Sequence, residues 1–304
     1  MKKMVNKTVI EGFLVEKDLK SGTAEKTGVD YISGKLHIET SPGNVVAVEV
    51  FESEKTKAGT LNQKFATLKG IYDNAKARHD GADQPTTLRV VSALGTNDWF
   101  NKEGELVSSL INRGGFVSVT AQIAPKAEFE TDVVIRSVVP ELRNEQETGR
   151  AIVNAIVFDY ANKALPAKFV VDNPKGVEFF QNLDPNTFTR VWGTQVNSTI
   201  VNERTEESAF GDAKVVKSSY SRKEFVITGA QTEAYDEEQL TSDELNQSIQ
   251  ARNVAIAELK ARNEAYQSNK TAAPTATISA KGATGKGSSN GKGLGSVAVG
   301  SFDF

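Results

Sequence analysis

Cysteine is absent from the 304 residues. That excludes disulfides, thiolate metal sites, iron–sulfur clusters and a thiol nucleophile. Histidine is almost absent: His37 and His79 are the only two, so a histidine-rich metal cluster is excluded as well. No run approaches the ~18–20 consecutive apolar residues of a membrane span. The opening MKKMVNKTVIEGF has lysines but no apolar h-region and no small-residue cleavage site, so it does not read as a secretory leader. A cytoplasmic protein without a membrane partner is expected. Also missing are a Walker loop, GxGxxG, HExxH, GxSxG and metal-spaced histidines. Gly282–Gly295 is glycine-rich, but no strand or helix pattern follows it, as a phosphate loop would need. The expectation is a non-catalytic protein with no cofactor and no metal.

What is present is ordinary for a soluble globular protein: 25% charged residues and 38% hydrophobic ones. The length exceeds one typical domain of ~100–200 residues. Charge is unevenly spread. Residues 1–125 carry 16 basic and 15 acidic side chains, 126–235 carry 13 and 16, 236–267 carry 3 and 7, and 268–304 carry 4 and 1. Net charge therefore runs +1, −3, −4 and +3.

The first block alternates in the manner of strands at Thr8–Lys17, Tyr31–Thr40 and Asn44–Phe51, with Ser41-Pro42-Gly43-Asn44 a tight turn between the last two. The period then changes. Leu61, Phe65, Leu68 and Tyr72 mark one face of an amphipathic helix within Gly59–Lys76, which assigns Phe65 and Tyr72 to the core. Strands resume at Thr87–Leu94 and Gly115–Gln122. The second block repeats the order, with strands at Thr131–Val139, Arg150–Tyr160 and Ala167–Val171, a short helix at Gly176–Leu183, then strands at Thr187–Asn197 and Phe225–Thr228. Gly34-Lys-Leu-His-Ile-Glu echoes Gly149-Arg-Ala-Ile-Val-Asn, and Thr86-Thr-Leu-Arg-Val-Val echoes Asn186-Thr-Phe-Thr-Arg-Val. Five strands with a helix between the third and fourth is the order of the OB-fold, a small Greek-key barrel whose face and loops suit oligonucleotides and oligosaccharides.

The expected architecture is mainly β: OB-fold domain 1 over 1–125, OB-fold-like domain 2 over 126–235, an amphipathic helix over 236–267 and a disordered tail over 268–304. Thr241-Ser-Asp-Glu244 is a capping box, and Leu245, Ile249, Ile256 and Leu259 form a narrow stripe interrupted by Arg252. The stripe suits a docked or self-associating helix but not a long coiled coil. The Gly/Ser/Lys-rich tail has too little apolar area to offset chain entropy.

A groove for single-stranded nucleic acid combines cations that follow phosphates with rings on which bases stack. Trp99 and Phe100, among the polar residues Asn97, Asp98, Asn101 and Gly104, are the leading stacking candidates, in what would be the loop between strands four and five. Capping of the barrel end by one or both rings is the alternative. Lys102, Arg89, Arg113, Lys35, Lys57 and Lys64 are the phosphate candidates, with a solvated surface charge the alternative for each, and Tyr31 opens the second strand as a further ring or as core or edge packing. Phe51 is undecided. His37 reads as an outward strand residue and His79 as loop. Trp192, flanked by strand residues, is assigned to a core, and the −3 charge argues against the second block as the main surface.

At Tyr31-Ile-Ser-Gly-Lys-Leu-His-Ile, Lys57-Ala-Gly, Ile71-Tyr72 and Leu88-Arg-Val-Val-Ser-Ala-Leu-Gly, the sequence resembles a tandem OB-fold family of bacteriophages of Gram-positive hosts. Thr148-Gly-Arg, Lys163-Ala-Leu-Pro, Lys223-Glu-Phe-Val-Ile-Thr-Gly and Tyr235-Asp-Glu-Glu extend the likeness over about residues 5–265. The resemblance implies a single-stranded DNA-binding accessory of replication or recombination, working in the host cytoplasm. The end, Phe302-Asp303-Phe304, is similar to the acidic-hydrophobic tip of bacterial single-stranded DNA-binding proteins, though the tail before it is basic and the tip has one acid. That likeness implies recruitment of replication or recombination proteins. The expected partner is single-stranded DNA, and a homo-oligomer is compatible with the stripe on the helix. A β-rich phage structural or assembly protein fits the same composition, and an adaptor that antagonises a host enzyme is a third reading.

Overall fold

The computed structural model describes residues 3–121, 124–206, 210, 214–235 and 239–272. Five strands and a helix come first: β1 (Asn6–Thr23), β2 (Asp30–Ser41), β3 (Asn44–Ser53), α1 (Gln63–Asn74), β4 (Thr87–Phe100) and β5 (Leu106–Val119). β1 pairs with β2, β2 with β3, β4 with β5 and β1 with β4, all antiparallel. β3 pairs parallel with β5 through Val48↔Asn112 and Glu49↔Arg113, which closes the barrel. The same order recurs in β6 (Lys126–Arg143), β7 (Gln146–Phe158), β8 (Ala164–Val171), α2 (Pro174–Gln181), β9 (Phe188–Glu206) and β10 (Lys214–Ala230). There the closing pair is Val226↔Val170 between β10 and β8. The fold is mainly β, with two OB-fold barrels in tandem and a C-terminal helix, α3 (Ser242–Ala272). Both sequence echoes fall on equivalent strands, β2 with β7 and β4 with β9.

Strand alternation fills each barrel. Ile32, Leu36 and Ile38 of β2 and Val46, Val48 and Val50 of β3 point into the first interior, where Leu68 and Ile71 of α1 close one end. Phe65 and Tyr72 pack against this core from the same helix, as their spacing predicts. Asn62 caps α1 by accepting from Lys64 N at 3.0 Å. In the second barrel Phe129, Phe169 and Phe225 pack ring against ring at 5.4–6.4 Å.

The β1–β2 pairing is tight at Gly34, whose φ is +144° and where an added Cβ would lie 2.0 Å from the Asp18 carbonyl oxygen. Only glycine fits such a crossing. Gly34→Ala is expected to cost about 1–3 kcal/mol through backbone strain. A urea transition with an unshifted midpoint would show that β1 and β2 yield at this point.

The barrels are knit together rather than linked end to end. β1 pairs with β6 from Asn6↔Thr131 to Glu11↔Lys126. Amides join the rest of the seam. Asn112 and Gln195 exchange two hydrogen bonds, at 2.8 and 3.0 Å, Asn44 donates to the Gln195 carbonyl at 3.0 Å, and Asn197 donates to the Val45 carbonyl. The hairpin formed by β4 and β5 reaches across: Leu94, 1% exposed, and Leu110 pack with the second barrel's core. Asn6 holds Leu94 there, accepting from its N–H at 2.8 Å and donating to the Leu94 and Phe158 carbonyls at 2.9 Å.

Two local readings need correction. Asn97 and Asp98 are not turn residues but paired strand, opposite Ser109 and Ser108. Trp192 is not core: alternation puts Val191 inside and Trp192 outside, 42% exposed, with its indole against the bare backbone of Gly229. The helix placed over 236–267 begins at Ser242, behind its capping box, in which Thr241 and Glu244 exchange backbone and side-chain hydrogen bonds at 3.0–3.2 Å. α3 runs on to Ala272, so residues 268–272, expected as tail, are helix, and the rest of the tail with its tip, Phe302, Asp303 and Phe304, lies outside the described residues.

Candidate functional site

The outer face of β2, β3 and β5 gathers rings and cations. Odd-numbered residues of β2 and β3 point outward because their even neighbours fill the barrel. Tyr31 stacks on Phe51 with centroids 5.6 Å apart and planes 22° from parallel. Phe51 is 40% exposed and Phe116, 65% exposed, stands on β5 just past a glycine pair. The Lys64 ammonium lies 4.1 Å from the Phe116 centroid. A lysine in the first turn of a helix opposes the helix dipole; at Lys64 the ring face supplies the compensating negative potential. Nearby, Glu49 sits between Lys35 at 3.7 Å and Arg113 at 3.3 Å. His37 is on this outer face too, half-buried opposite Ala47.

Four of the residues expected from sequence, Tyr31, Lys35, Arg113 and Lys64, therefore share one face. Lys57 is exposed in the connection between β3 and α1. Arg89 lies on β4 and faces Glu11 of β1 at 3.6 Å. Trp99, Phe100 and Lys102 occupy the far end of the β4–β5 hairpin, roughly 20 Å along the strand from Arg113. Trp99 is 41% exposed, opposite Val107, while Phe100 points to the other side and is half-buried. The two adjacent rings thus cannot form one platform.

The hairpin is not a free loop. Arg252 of α3 donates to Asp98 at 2.9 Å, to Ser108 at 3.0 Å and to Thr96 at 3.4 Å. Burial alone would raise the Asp98 pKa, but the hydrogen bonds from Arg252 and Ser108 outweigh it and hold the carboxyl below its usual range. The residue that breaks the apolar stripe of α3 is the one that docks it. Leu245, one turn after the helix start, packs against the cluster of Phe158 and Phe188.

Between hairpin, α3 and the second barrel runs a groove of about 930 Å³. Its floor is the outer face of β7, β8 and β10, and its cations are Arg136, Arg143, Lys168, Arg222, Lys223 and Arg252, against the carboxylates Glu141 and Glu224. Arg222 and Arg150 both pair with Glu224, and Arg150 also with Glu141 at 3.1 Å. Burial would raise the Glu224 pKa, but hydrogen bonds from Arg222 and Arg150 bring it below the usual range. Lys223 sits where the groove meets the first barrel, beside Ala47 of β3 and Asn112 of β5, and its ammonium is within the field of Lys35 and Glu49.

Sequence reasoning missed Phe116, Lys168, Arg222 and Lys223. The Gly114-Gly115 pair signalled a change of strand phase at Phe116. No local signal marked the groove cations, because the net charge of a segment says nothing about which face carries it. Among the described residues, no group of three or more acidic or histidine side chains is placed to hold a metal, and no helix is long and apolar enough to cross a membrane.

Fold and site together define a protein of two OB-fold barrels, with a ring-bearing face on the first and a cation-lined groove on the second. Residues 4–262 match the YorF family, and the chain belongs to that family. No curated protein matches it in sequence. Among solved structures it is similar to the wild-type single-stranded DNA binding protein from Thermus aquaticus, with a TM-score of 0.47 and 10% identity, covering 77% of this chain and 95% of that one. A deletion mutant of the Thermus protein gives a TM-score of 0.46 and 12% identity, over 78% and 98% of the two chains.

Proposed function

We propose that this chain binds single-stranded DNA without sequence preference, coating and protecting strands during phage DNA replication or recombination, and that it has no catalytic activity. The observation that carries the reading is the face on which Tyr31, Phe51 and Phe116 stand beside Lys35, Lys64 and Arg113 and which continues at Lys223 into the basic groove. Rings accept any base by its π-face, and cations follow the backbone whatever the sequence. Duplex DNA keeps its bases stacked inside and offers nothing to the rings. Domain 1, over 1–125, supplies the ring platform, and domain 2, over 126–235, extends the path. Trp99, Phe100 and Lys102 at the hairpin end and Arg89 and Lys57 at the margins are secondary contacts in this reading. Phe302, Asp303 and Phe304 offer a terminal carboxylate, one acid and two rings to a basic-rimmed pocket on a replication or recombination protein.

The test is anisotropy of labelled oligothymidine, with the duplex of the same length, an oligouridine and a mixed sequence as competitors. Single strands are expected to bind at low salt, mixed sequence about as well as thymidine, and duplex far more weakly. Log affinity should fall linearly with log salt at about 0.7 per phosphate contacted. Equal binding of duplex, or none of any strand, overturns the proposal; preference for uridine reassigns it to RNA.

A further inference from the structure

Lys223 stands exposed at the join of the two barrels. It lies on β10 opposite Asn197, and it lines both the second barrel's groove and a small cleft at the seam between the barrels. The cleft's other walls include Ala47 of β3, Asn112 of β5 and Gln195 of β9. Among the described residues its ammonium makes no hydrogen bond and no ion pair. Its charged neighbours are Lys35, across the seam, and Glu49. Burial first, and Lys35 second, lower its pKa, with Glu49 opposing them. The neutral groups around it are already committed. Asn112 donates to the Ala47 carbonyl and to Gln195, and Gln195 donates back to Asn112.

The charge count at this point is unbalanced. Lys35, Arg113 and Lys223 are three cations around one carboxylate, Glu49, which Lys35 and Arg113 already contact. Two positive charges remain. Holding a lysine beside another lysine at a protein seam costs stability, and an apolar or amide side chain would fill the space without that cost. An anion of one or two charges, small enough to enter between two strands' side chains, would remove the imbalance.

We propose that the seam is a phosphate seat, in which the ammonium groups of Lys35 and Lys223 together hold one phosphodiester of a strand as it passes from the first barrel to the second. The inference rests on the single-strand reading given above and deepens it. The seat makes the two barrels one binding site: the ring-bearing face delivers the strand to Lys35, and Lys223 hands it to Lys168 and Arg222. Arg113 stays with Glu49, and the single negative charge of a phosphodiester, shared between the two ammonium groups, offsets half of the charge that remains.

The experiment uses the full chain and a labelled oligothymidine of about 30 nucleotides, long enough for two OB-folds. Lys223→Gln is expected to bind about tenfold more weakly at low salt. Its plot of log affinity against log salt should be shallower by about 0.7, one phosphate contact on a single strand. Lys35→Gln should give the same two changes, and Lys223→Arg should restore both affinity and slope. The melting midpoint of unliganded Lys223→Gln should equal or exceed that of the unmodified chain, because the repulsion between Lys223 and Lys35 is gone. The seat is overturned if the unmodified chain binds and Lys223→Gln binds with the same slope, whether or not its melting midpoint falls. If the unmodified chain does not bind the oligonucleotide at all, the single-strand reading itself fails.

Discussion

Replacing Phe51 and Phe116 together by alanine is expected to weaken oligonucleotide binding by about thirtyfold or more while leaving the barrel folded. Each base stacked on a ring contributes ~1–3 kcal/mol, so losing two platforms removes at least about 2 kcal/mol, or a factor of about 30. Phe51 also backs Tyr31, whose ring lies 5.6 Å away, so its loss loosens a third platform. Phe116 holds the Lys64 ammonium over its face, and alanine there frees a cation that the helix end repels. Neither ring fills the interior: they are 40% and 65% exposed. Circular dichroism and the melting midpoint should therefore change little. If the double variant binds as tightly as the unmodified chain, the β2–β3–β5 face is not where bases lie. Trp99→Ala then decides whether the hairpin end takes that role.

The second large effect is expected at Arg252, which fastens α3 to the hairpin. Its side chain is 12% exposed and that of Asp98 18%. Arg252→Ala removes the cation and leaves the carboxylate facing Thr96 and Ser108 alone. Breaking one partner of a buried pair costs ~3–5 kcal/mol, and about 3 is appropriate where both groups still touch solvent. The loss should be local. Amide exchange of α3 residues beyond Ile249 should accelerate by two orders of magnitude or so, matching about 3 kcal/mol, while the barrel strands stay protected. Acid should act in the same direction. A carboxyl whose pKa is depressed on folding contributes stability that is complete above its unfolded value, near pH 4, and is lost as pH falls through the folded value. The docking of α3 should thus be insensitive to pH from neutrality down to about 4, then fail below it, and in Asp98→Asn the acid-dependent part should vanish. Uniform exchange of α3 in the unmodified chain and in Arg252→Ala would show that the ion pair does not hold the helix.

The barrels were legible because their signals are local. Period-two runs gave β2 and β3, the four-three-four spacing from Leu61 to Tyr72 gave α1, and the repeated element order gave the tandem arrangement. The capping box at Thr241 placed the start of α3 within a residue. The β4–β5 hairpin was not legible. Asn97, Asp98 and Asn101 have turn propensities, yet the first two are drawn into the ladder because the hairpin lies against α3 and the second barrel. Such a tertiary contact overrides local preference. Trp192 was misplaced for a related reason: alternation fixes which residues share a face, but not which face is inside. The site divides in the same way. Cations and rings could be named one by one, whereas their assembly depends on the parallel β3–β5 closure and on a seam between segments far apart in the sequence. Lys223 belongs to that seam, and the acidic balance of its own segment hid it.

Leu94 belongs by sequence to the first barrel and by packing to the second. Neither module, then, owns a finished interior. Detaching the first would bare Leu94 and Leu110 to water and leave a hole beside Phe129 and Phe169 in its neighbour. A chain laced in this manner cannot flex at its midpoint as beads on a string do. Whatever lies along its groove meets a stiff track of fixed length, and the spacing between the two halves becomes a property of the covalent sequence rather than of the bound polymer.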